Sequence, residues 1–244
     1  MNRKPVIVAW SGGKDCTLAL RELALGGEYT PVALLTTVTS GYERISMHGV
    51  RRSLLEAQAA SLGVPLREVE ISPRAGNDEY ESKMDAALSA LRSAHPAIAG
   101  VVFGDLFLED IRAYRESMLA RANLRAIFPL WRRDTRELAT RFIELGFRAA
   151  VVCVDSLALD RSFAGREYDA SFMADLPNVV DPCGENGEFH TFVYDGPLFA
   201  NPVVHARGEV VLRDERFFFA DLLDPATSRR GAAGGAEAAG RRRS

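Results

Sequence analysis

A serine, two adjacent glycines and a lysine stand where the first apolar run of the chain passes into a helix-like segment. The sequence SGGKDC occupies residues 11–16 and follows the run VIVAW. Gly12 and Gly13 allow backbone amides to turn toward a ligand without interference from a Cβ atom, and the helix that begins there adds its positive end. Ser11 contributes a hydroxyl donor and Lys14 a compact positive charge. These residues predict a loop that binds a polyphosphate or pyrophosphate.

The spacing of the glycines excludes two common phosphate-binding loops. A Walker loop requires GxxxxGK[ST] and a dinucleotide fingerprint requires GxGxxG, and neither pattern surrounds these glycines. Asp15 is unusual beside an anion site, because a carboxylate there is costly unless it caps the helix or holds a magnesium ion. A glycine turn that Asp15 caps, without any ligand, is the alternative interpretation.

Further candidate residues follow later apolar segments. Asp105, in the sequence FGD, could hold magnesium or position an acyl acceptor, or it could cap the next helix. His48 could contact a nucleotide or substrate, or it could be a solvated loop residue. If a strand begins near Glu188, this carboxylate shares one face with His190, and the pair could orient ammonia or take a proton from ammonium. A glycine-rich hairpin with solvated acids is the alternative for this segment.

The elements that position these residues alternate along the first two thirds of the chain. Apolar runs predict strands, and segments with leucine and alanine at helical spacing predict helices between them. Buried strands separated by helices imply a parallel sheet with helices on both faces. In such a sheet the ligand lies beyond the carboxyl ends of the strands. The predicted strands cover residues 5–10, 32–39, 66–71 and 98–104.

Beyond residue 130 the pattern changes. A helix over residues 134–147, capped by Asp134, precedes a strand over residues 148–155. Loop-rich sequence follows, and then short strand candidates at residues 188–194, 203–213 and 216–223. We predict three segments: a domain with the phosphate loop at residues 1–130, a smaller α+β domain at residues 131–224, and a disordered Gly/Ala/Arg-rich tail at residues 225–244. Within the first domain, Glu109 and Arg112 are spaced for a surface ion pair.

Composition narrows the classes of function. The formal net charge is -3 with acidic and basic residues interleaved, so no surface for nucleic acid is indicated. No apolar run reaches the length of a membrane span, and no signal peptide is recognisable. The three cysteines lack zinc-ligand spacing, so a reduced cytoplasm is the expected compartment.

The sequence SGGKDCTLAL, directly after the first strand, resembles the SGGxDS pyrophosphate loop (PP-loop) of the adenine nucleotide alpha hydrolase superfamily, whose members cleave ATP between its α and β phosphates. Together with MHGVRRSLLEAQA, FGDLFLEDIRAYRE and DPCGENGEFHTFVYDGPLF, it makes the chain similar to the diphthine-ammonia ligase family up to about residue 199. The resemblance implies an α/β fold with a Rossmann-like (HUP-type) parallel sheet, helices on both faces, and a smaller α+β C-terminal domain that binds substrate.

The resemblance also implies a reaction. ATP adenylates a carboxylate, pyrophosphate leaves, and ammonia displaces AMP to give an amide. A loop that holds pyrophosphate would stabilise the charge on this leaving group, and Mg2+ would normally bridge the phosphates. In the family's named reaction the carboxylate belongs to diphthine, a modified histidine of translation elongation factor 2. The lysine-poor composition is typical of GC-rich bacterial genomes, and bacteria are not known for diphthamide, so the acceptor carboxylate stays open.

The resemblance assigns roles to the candidate residues. It favours a nucleotide contact for His48 and a substrate or ammonia role for the segment around Glu188. Cys16 stands where the superfamily usually has serine and is expected to be a phosphate-loop residue, not a nucleophile. The implied ATP-binding residues are Ser11, Gly12, Gly13, Lys14, Asp15, Cys16, His48 and Gly104. The implied catalytic residues are Lys14, Asp105, Glu188 and His190; the substrate-binding residues are Glu185, Asn186, Gly187 and Thr191; and the magnesium ligands are Asp15 and Asp105.

Two other functions remain open at this point. An ATP- or AMP-binding regulatory protein would use the loop without turnover. A PP-loop tRNA-modifying enzyme would transfer sulfur, and it would need a cysteine pair and a basic surface that the sequence does not offer. An exposed strand edge in the C-terminal domain could pair with its own copy, which would give a homodimer.

Overall fold

The computed structural model describes residues 3–41, 44–45 and 49–225. Its first half forms a parallel sheet of five strands, which confirms the predicted α/β class. The strands are β1 (Lys4–Ala9), β2 (Tyr29–Thr39), β4 (Leu66–Ile71), β5 (Gly100–Val102) and β6 (Arg125–Ile127). They lie in the order β4-β2-β1-β5-β6, and a short β3 (Arg44–Ile45) pairs antiparallel with the end of β2.

Helices cover both faces of this sheet. They are α1 (Lys14–Gly26), α2 (Arg52–Leu62), α3 (Asn77–Ala94) and α4 (Glu109–Arg121). Because successive residues of a strand point to opposite faces, β1 contributes to two apolar clusters. Val8 packs in the same cluster as Leu55 of α2, whereas Ile7 packs in the same cluster as Leu88 of α3 and Leu119 of α4. The loop after β1 therefore emerges between two well-packed layers.

The second sheet is antiparallel. It follows α5 (Thr135–Glu144) and contains β7 (Arg148–Asp155), β8 (Phe189–Asp195), β9 (Ala206–Arg213) and β10 (Phe217–Leu223) in the order β8-β7-β10-β9. As predicted, Asp134 caps α5, where its carboxylate accepts a hydrogen bond of 2.8 Å from the Glu137 amide. A short α6 (Ala170–Asp175) lies between β7 and β8 in a segment that the sequence indicated as loop.

The apolar core is continuous between the two sheets. Val6 and Trp10 of the first half belong to the same cluster as Val151 and Phe192 of the second sheet. This contact brings β8 against the loop after β1. The division at residue 130 stays a prediction, and residues 226–244 of the predicted tail lie outside the described residues. Within the described part of the chain, no helix has the length and apolar character needed to cross a membrane.

Candidate active site

The phosphate loop is held by its own backbone and by β8. Gly12 has a φ of +80°, and an added Cβ atom would lie 2.9 Å from Leu55 Cδ1. The Gly12 carbonyl accepts a hydrogen bond of 2.9 Å from the Val193 amide. The Gly13 amide donates to Ser11 Oγ at 3.3 Å, and the Lys14 amide donates to Thr191 Oγ1 at 3.1 Å. Thr191 thus contacts the loop backbone, where the resemblance implied a contact with substrate.

Lys14 is almost completely buried, with 2% of its surface exposed. Its Nζ donates to Asp15 Oδ2 at 2.9 Å and to the carbonyl oxygen of Cys183. The ring centroids of Phe189 and Tyr168 lie 5.4 Å and 5.7 Å from Nζ. Burial alone lowers the pKa of Lys14, but the Asp15 carboxylate and other neighbouring groups outweigh it and hold the pKa above its usual value. A permanent positive charge therefore lies between the loop and the segment at residues 181–188.

The carboxyl end of β5 lies directly against this loop. An added Cβ atom at Gly104 would stand 2.7 Å from both Asp15 C and Cys16 N. Asp105 pairs with Arg115, whose Nη2 donates to Oδ1 at 3.1 Å. Asp105 does not cap α4, because Leu108 is the capping residue and no side chain completes that cap. The cap interpretation of Asp105 is therefore wrong, and its carboxylate is held by the Arg115 guanidinium.

Asp15 carries an oxygen that no described residue satisfies. Oδ2 bonds to Lys14, whereas Oδ1 is buried without a hydrogen-bond partner among the described residues. A buried carboxylate oxygen without a partner costs free energy, and such an atom points to a ligand or ion. The alternative in which Asp15 caps α1 is wrong, because the cap is Gly13 without a side-chain hydrogen bond.

Glu185 joins the C-terminal motif to the loop after β5. Its Oε1 accepts from the amides of Leu106 at 2.8 Å and Phe107 at 3.4 Å. Burial raises the pKa of Glu185 to about 7, and the nearby charges of Asp15 and Asp105 act in the same direction. The side chain therefore exchanges a proton near neutral pH.

Glu188 holds the turn that precedes β8. Its Oε1 accepts from the Asp181 amide and from Asn186 Nδ2, each at 3.0 Å, and Oε2 accepts from the Asn186 amide at 3.0 Å. Gly187 supports the same turn with a φ of +87°. These bonds order the turn beside the Cys183 carbonyl, which accepts from Lys14. The catalytic role of Glu188 stays a prediction.

His190 follows on β8 and is half-buried, between the buried Phe189 and Thr191. Burial lowers the pKa of His190 to about 4, and the charge of Lys14 adds to this effect. The imidazole is therefore neutral at physiological pH. His48, the other predicted histidine, lies outside the described residues.

Cys16 is a buried donor inside the loop. Its Sγ donates to the Gly13 carbonyl at 3.1 Å and lies 3.6 Å from Ser11 Oγ. Burial raises the pKa of the Cys16 thiol. The thiol therefore stays protonated, which is consistent with a structural part in the loop.

Several contacts of the site were not apparent from the sequence. Four further side chains touch predicted site residues: Gln58, Tyr168, Asp181 and Arg115. Of these, Gln58 could have been singled out, because it is a lone glutamine in the apolar stretch LLEAQAA. The predicted ion pair of Glu109 and Arg112 is wrong. Glu109 pairs with Arg132, which lies in the segment after β6, at 2.6 Å. Arg112 pairs with Glu116, one turn further along α4, at 2.8 Å.

The titration of Glu185 predicts a pH-dependent stability. The pKa is about 7 in the folded protein against an ordinary value of 4.5. The stabilisation linked to the bound proton is complete below pH 4.5 and is lost as the pH rises through 7. Glu185→Gln stays neutral and keeps an oxygen acceptor, so it should melt at a higher temperature than the wild type at pH 8 and at nearly the same temperature at pH 4. Thermal melts of both proteins at the two pH values test this prediction. An equal difference in melting temperature at both pH values would contradict it.

The parallel sheet, with a glycine loop at the carboxyl end of its first strand and polar groups gathered around that loop, defines a Rossmann-like α/β protein with a second, antiparallel sheet. The chain belongs to the diphthamide synthase family: the model of the "Diphthamide synthase N-terminal domain" matches residues 4–126, and that of the "Diphthamide synthase C-terminal domain" matches residues 134–219.

Curated relatives carry a consistent name. The human protein "Diphthine--ammonia ligase" is 25% identical over 229 residues, which cover 85% of each chain. The zebrafish (Danio rerio) protein of the same name is 26% identical over 230 residues, covering 85% of this chain and 89% of the relative. The Schizosaccharomyces pombe protein of that name is 26% identical over 218 residues, covering 82% of this chain and 36% of its own length.

Proposed function

We propose that the chain is an ATP-dependent ligase of the diphthine-ammonia ligase type. It adenylates a carboxylate, releases pyrophosphate, and transfers ammonia to give an amide and AMP. The observation that carries this proposal is the buried Lys14, whose charged amine joins the phosphate loop to the motif at residues 181–188. The names of the relatives support the same activity.

The loop residues act on the pyrophosphate. The donors for the β and γ phosphates are the Gly12 amide, the Ser11 hydroxyl and the start of α1. The Gly13 amide donates to Ser11 Oγ and so orients that hydroxyl. Lys14 adds a charge that the surroundings keep protonated. Because pyrophosphate gains negative charge as it leaves, these groups stabilise the transition state more than bound ATP.

Asp15 is the residue that fits a magnesium ion best. The described residues hold no group of three His, Cys, Asp or Glu side chains able to bind a metal. Magnesium commonly takes only one or two carboxylates and completes its shell with substrate phosphates and water. The free Oδ1 of Asp15 matches that requirement, whereas Asp105 is already paired with Arg115 and would be a second ligand. When bound, the ion would offset the charge of the phosphates.

Ammonia would be handled by the C-terminal motif. Glu185, whose pKa is about 7, is suited to accept a proton from ammonium near neutral pH. His190 is neutral and could donate or accept a hydrogen bond, while Glu188 keeps the turn in place. We assign contacts with ammonia or the acceptor to Glu185, Asn186, Gly187, Glu188 and His190.

We also propose which partners the protein binds. The acceptor is a small molecule or a modified protein side chain that bears a carboxylate, and the reaction takes place in the cytoplasm. The strand β9 lies at one edge of the second sheet, and its Leu212 side chain is half exposed. Pairing of this edge with a second copy would give a homodimer.

The products test the proposed reaction. Purified protein should be incubated with ATP, magnesium, labelled ammonium and an extract that contains the acceptor. We expect AMP and pyrophosphate in equal amounts, with label in an amide. ADP and phosphate as products would contradict the proposal. Isolation of the labelled amide identifies the acceptor.

A further inference from the structure

Gln58 is a buried polar side chain of α2 whose surface is 0% exposed. Its Nε2 donates to the backbone carbonyls of Gly12 at 3.0 Å and Val193 at 2.6 Å. Its Oε1 accepts from Trp10 Nε1 at 2.7 Å. One amide group therefore connects the end of β1, the phosphate loop and β8, and both of its donor hydrogens are used.

The Gly12 carbonyl is held from two sides. Besides Gln58 Nε2, the Val193 amide donates to it at 2.9 Å. A carbonyl and the next N–H belong to one planar peptide unit and point in opposite directions when the bond is trans. Fixing the Gly12 carbonyl therefore fixes the Gly13 N–H on the other side, where it donates to Ser11 Oγ at 3.3 Å.

This peptide needs an external restraint. Two adjacent glycines have many accessible backbone conformations, and Gly12 adopts a positive φ of +80°. The space around Gly12 is nevertheless tight, because an added Cβ atom would lie 3.0 Å from Gln58 Oε1. The glutamine thus packs on the residue whose carbonyl it binds.

We propose that Gln58 is a positioning residue that locks the Gly12–Gly13 peptide, so that the Gly13 amide holds Ser11 Oγ and the Ser11 hydroxyl stays turned toward the pyrophosphate part of ATP. This inference rests on the proposed function of the loop. A preorganised donor loses less entropy when the ligand binds, and its effect is confined to the groups that it contacts. Gln58 should therefore contribute to the binding of ATP and of pyrophosphate but not to the binding of AMP.

The variant Gln58→Met keeps the approximate length and volume of the side chain and removes both donors. We expect its Kd for ATP and for inorganic pyrophosphate to rise about 10-fold, as for the loss of one or two buried hydrogen bonds. The Kd for AMP should stay within about twofold. Isothermal titration calorimetry with the three ligands, in the presence of magnesium, measures these constants.

Leu119→Ala is the matched control. Leu119 is fully buried in the cluster on the opposite face of the sheet, so its replacement destabilises the fold without touching the loop. Its Kd values for all three ligands should equal those of the wild type. If Gln58→Met binds pyrophosphate as tightly as the wild type, or loses AMP affinity as much as ATP affinity, the positioning role is wrong. If the wild type itself binds neither ATP nor pyrophosphate, it is the proposed function that fails.

A second variant covers the case in which Gln58→Met does not fold. Trp10→Phe removes the donor that orients the Gln58 amide and keeps an aromatic ring in the core. We expect its Kd for pyrophosphate to rise about threefold with no change for AMP. An unchanged Kd for pyrophosphate, or an equal rise in Kd for pyrophosphate and AMP, contradicts the positioning role of Gln58.

Discussion

Replacement of Lys14 by alanine is expected to abolish ATP binding and to destabilise the protein. Lys14 Nζ bonds Asp15 at 2.9 Å and also the Cys183 carbonyl, and both contacts are lost in the variant. Breaking a buried ion pair by removing one partner costs about 3–5 kcal/mol of the free energy of unfolding, because the other charge stays buried. The loop also loses its only ammonium group. Calorimetry with ATP and magnesium, together with thermal melting, measures both effects.

Lys83→Ala is the control for this prediction. Lys83 lies on α3 and forms a partly exposed pair of 2.9 Å with Glu79, and such pairs contribute little to stability. Both the ATP affinity and the melting temperature of this variant should match the wild type. If folded Lys14→Ala protein retains wild-type ATP affinity, the loop does not hold the phosphates through this residue.

The sequence predicted strands well where local pattern alone decides them. Residues 66–71 and 148–155 were predicted as strands, and β4 and β7 have those same bounds. Apolar and charged residues alternate in the second half of β4, and a continuous apolar run lies between the charged ends of β7. The three residues of β6 were missed. Their strand character comes from pairing with β5, which is a contact between distant parts of the chain. The short α6 was missed for a related reason, because its six residues give too little periodicity.

The site was predictable at the level of residue types but not of partners. The rule that ligands lie at the carboxyl ends of parallel strands correctly brought Gly104 beside the loop. It could not show that Arg115, which lies in the second turn of α4, would pair with Asp105 in the loop before that helix. Nor could it show that Thr191 of β8 would bond to the backbone of Lys14, because that contact depends on how the second sheet docks on the first.

Gly104→Ala is the second change with a large expected effect. The added Cβ atom would stand 2.7 Å from Asp15 C and Cys16 N, which are backbone atoms and cannot rotate away. The loop or the end of β5 must shift, and the loss of two hydrogen bonds to the phosphates, at about 1.4 kcal/mol each, lowers the affinity by roughly 100-fold. Overpacking should also cost about 1–3 kcal/mol of stability. We expect ATP affinity to fall by roughly 100-fold while the protein still folds.

Gly76→Ala separates this effect from the general cost of replacing a glycine. Gly76 precedes α3 with an ordinary φ of -73°, and an added Cβ atom there would contact nothing within 4 Å. Its ATP affinity should match the wild type, and its melting temperature should fall only slightly, since alanine caps a helix less well than glycine. The contrast between the two variants measures the close approach of β5 to the loop. Equal ATP affinities would mean that the loop tolerates displacement at Asp15 and Cys16, and that phosphate binding does not depend on the packing of Gly104 against them.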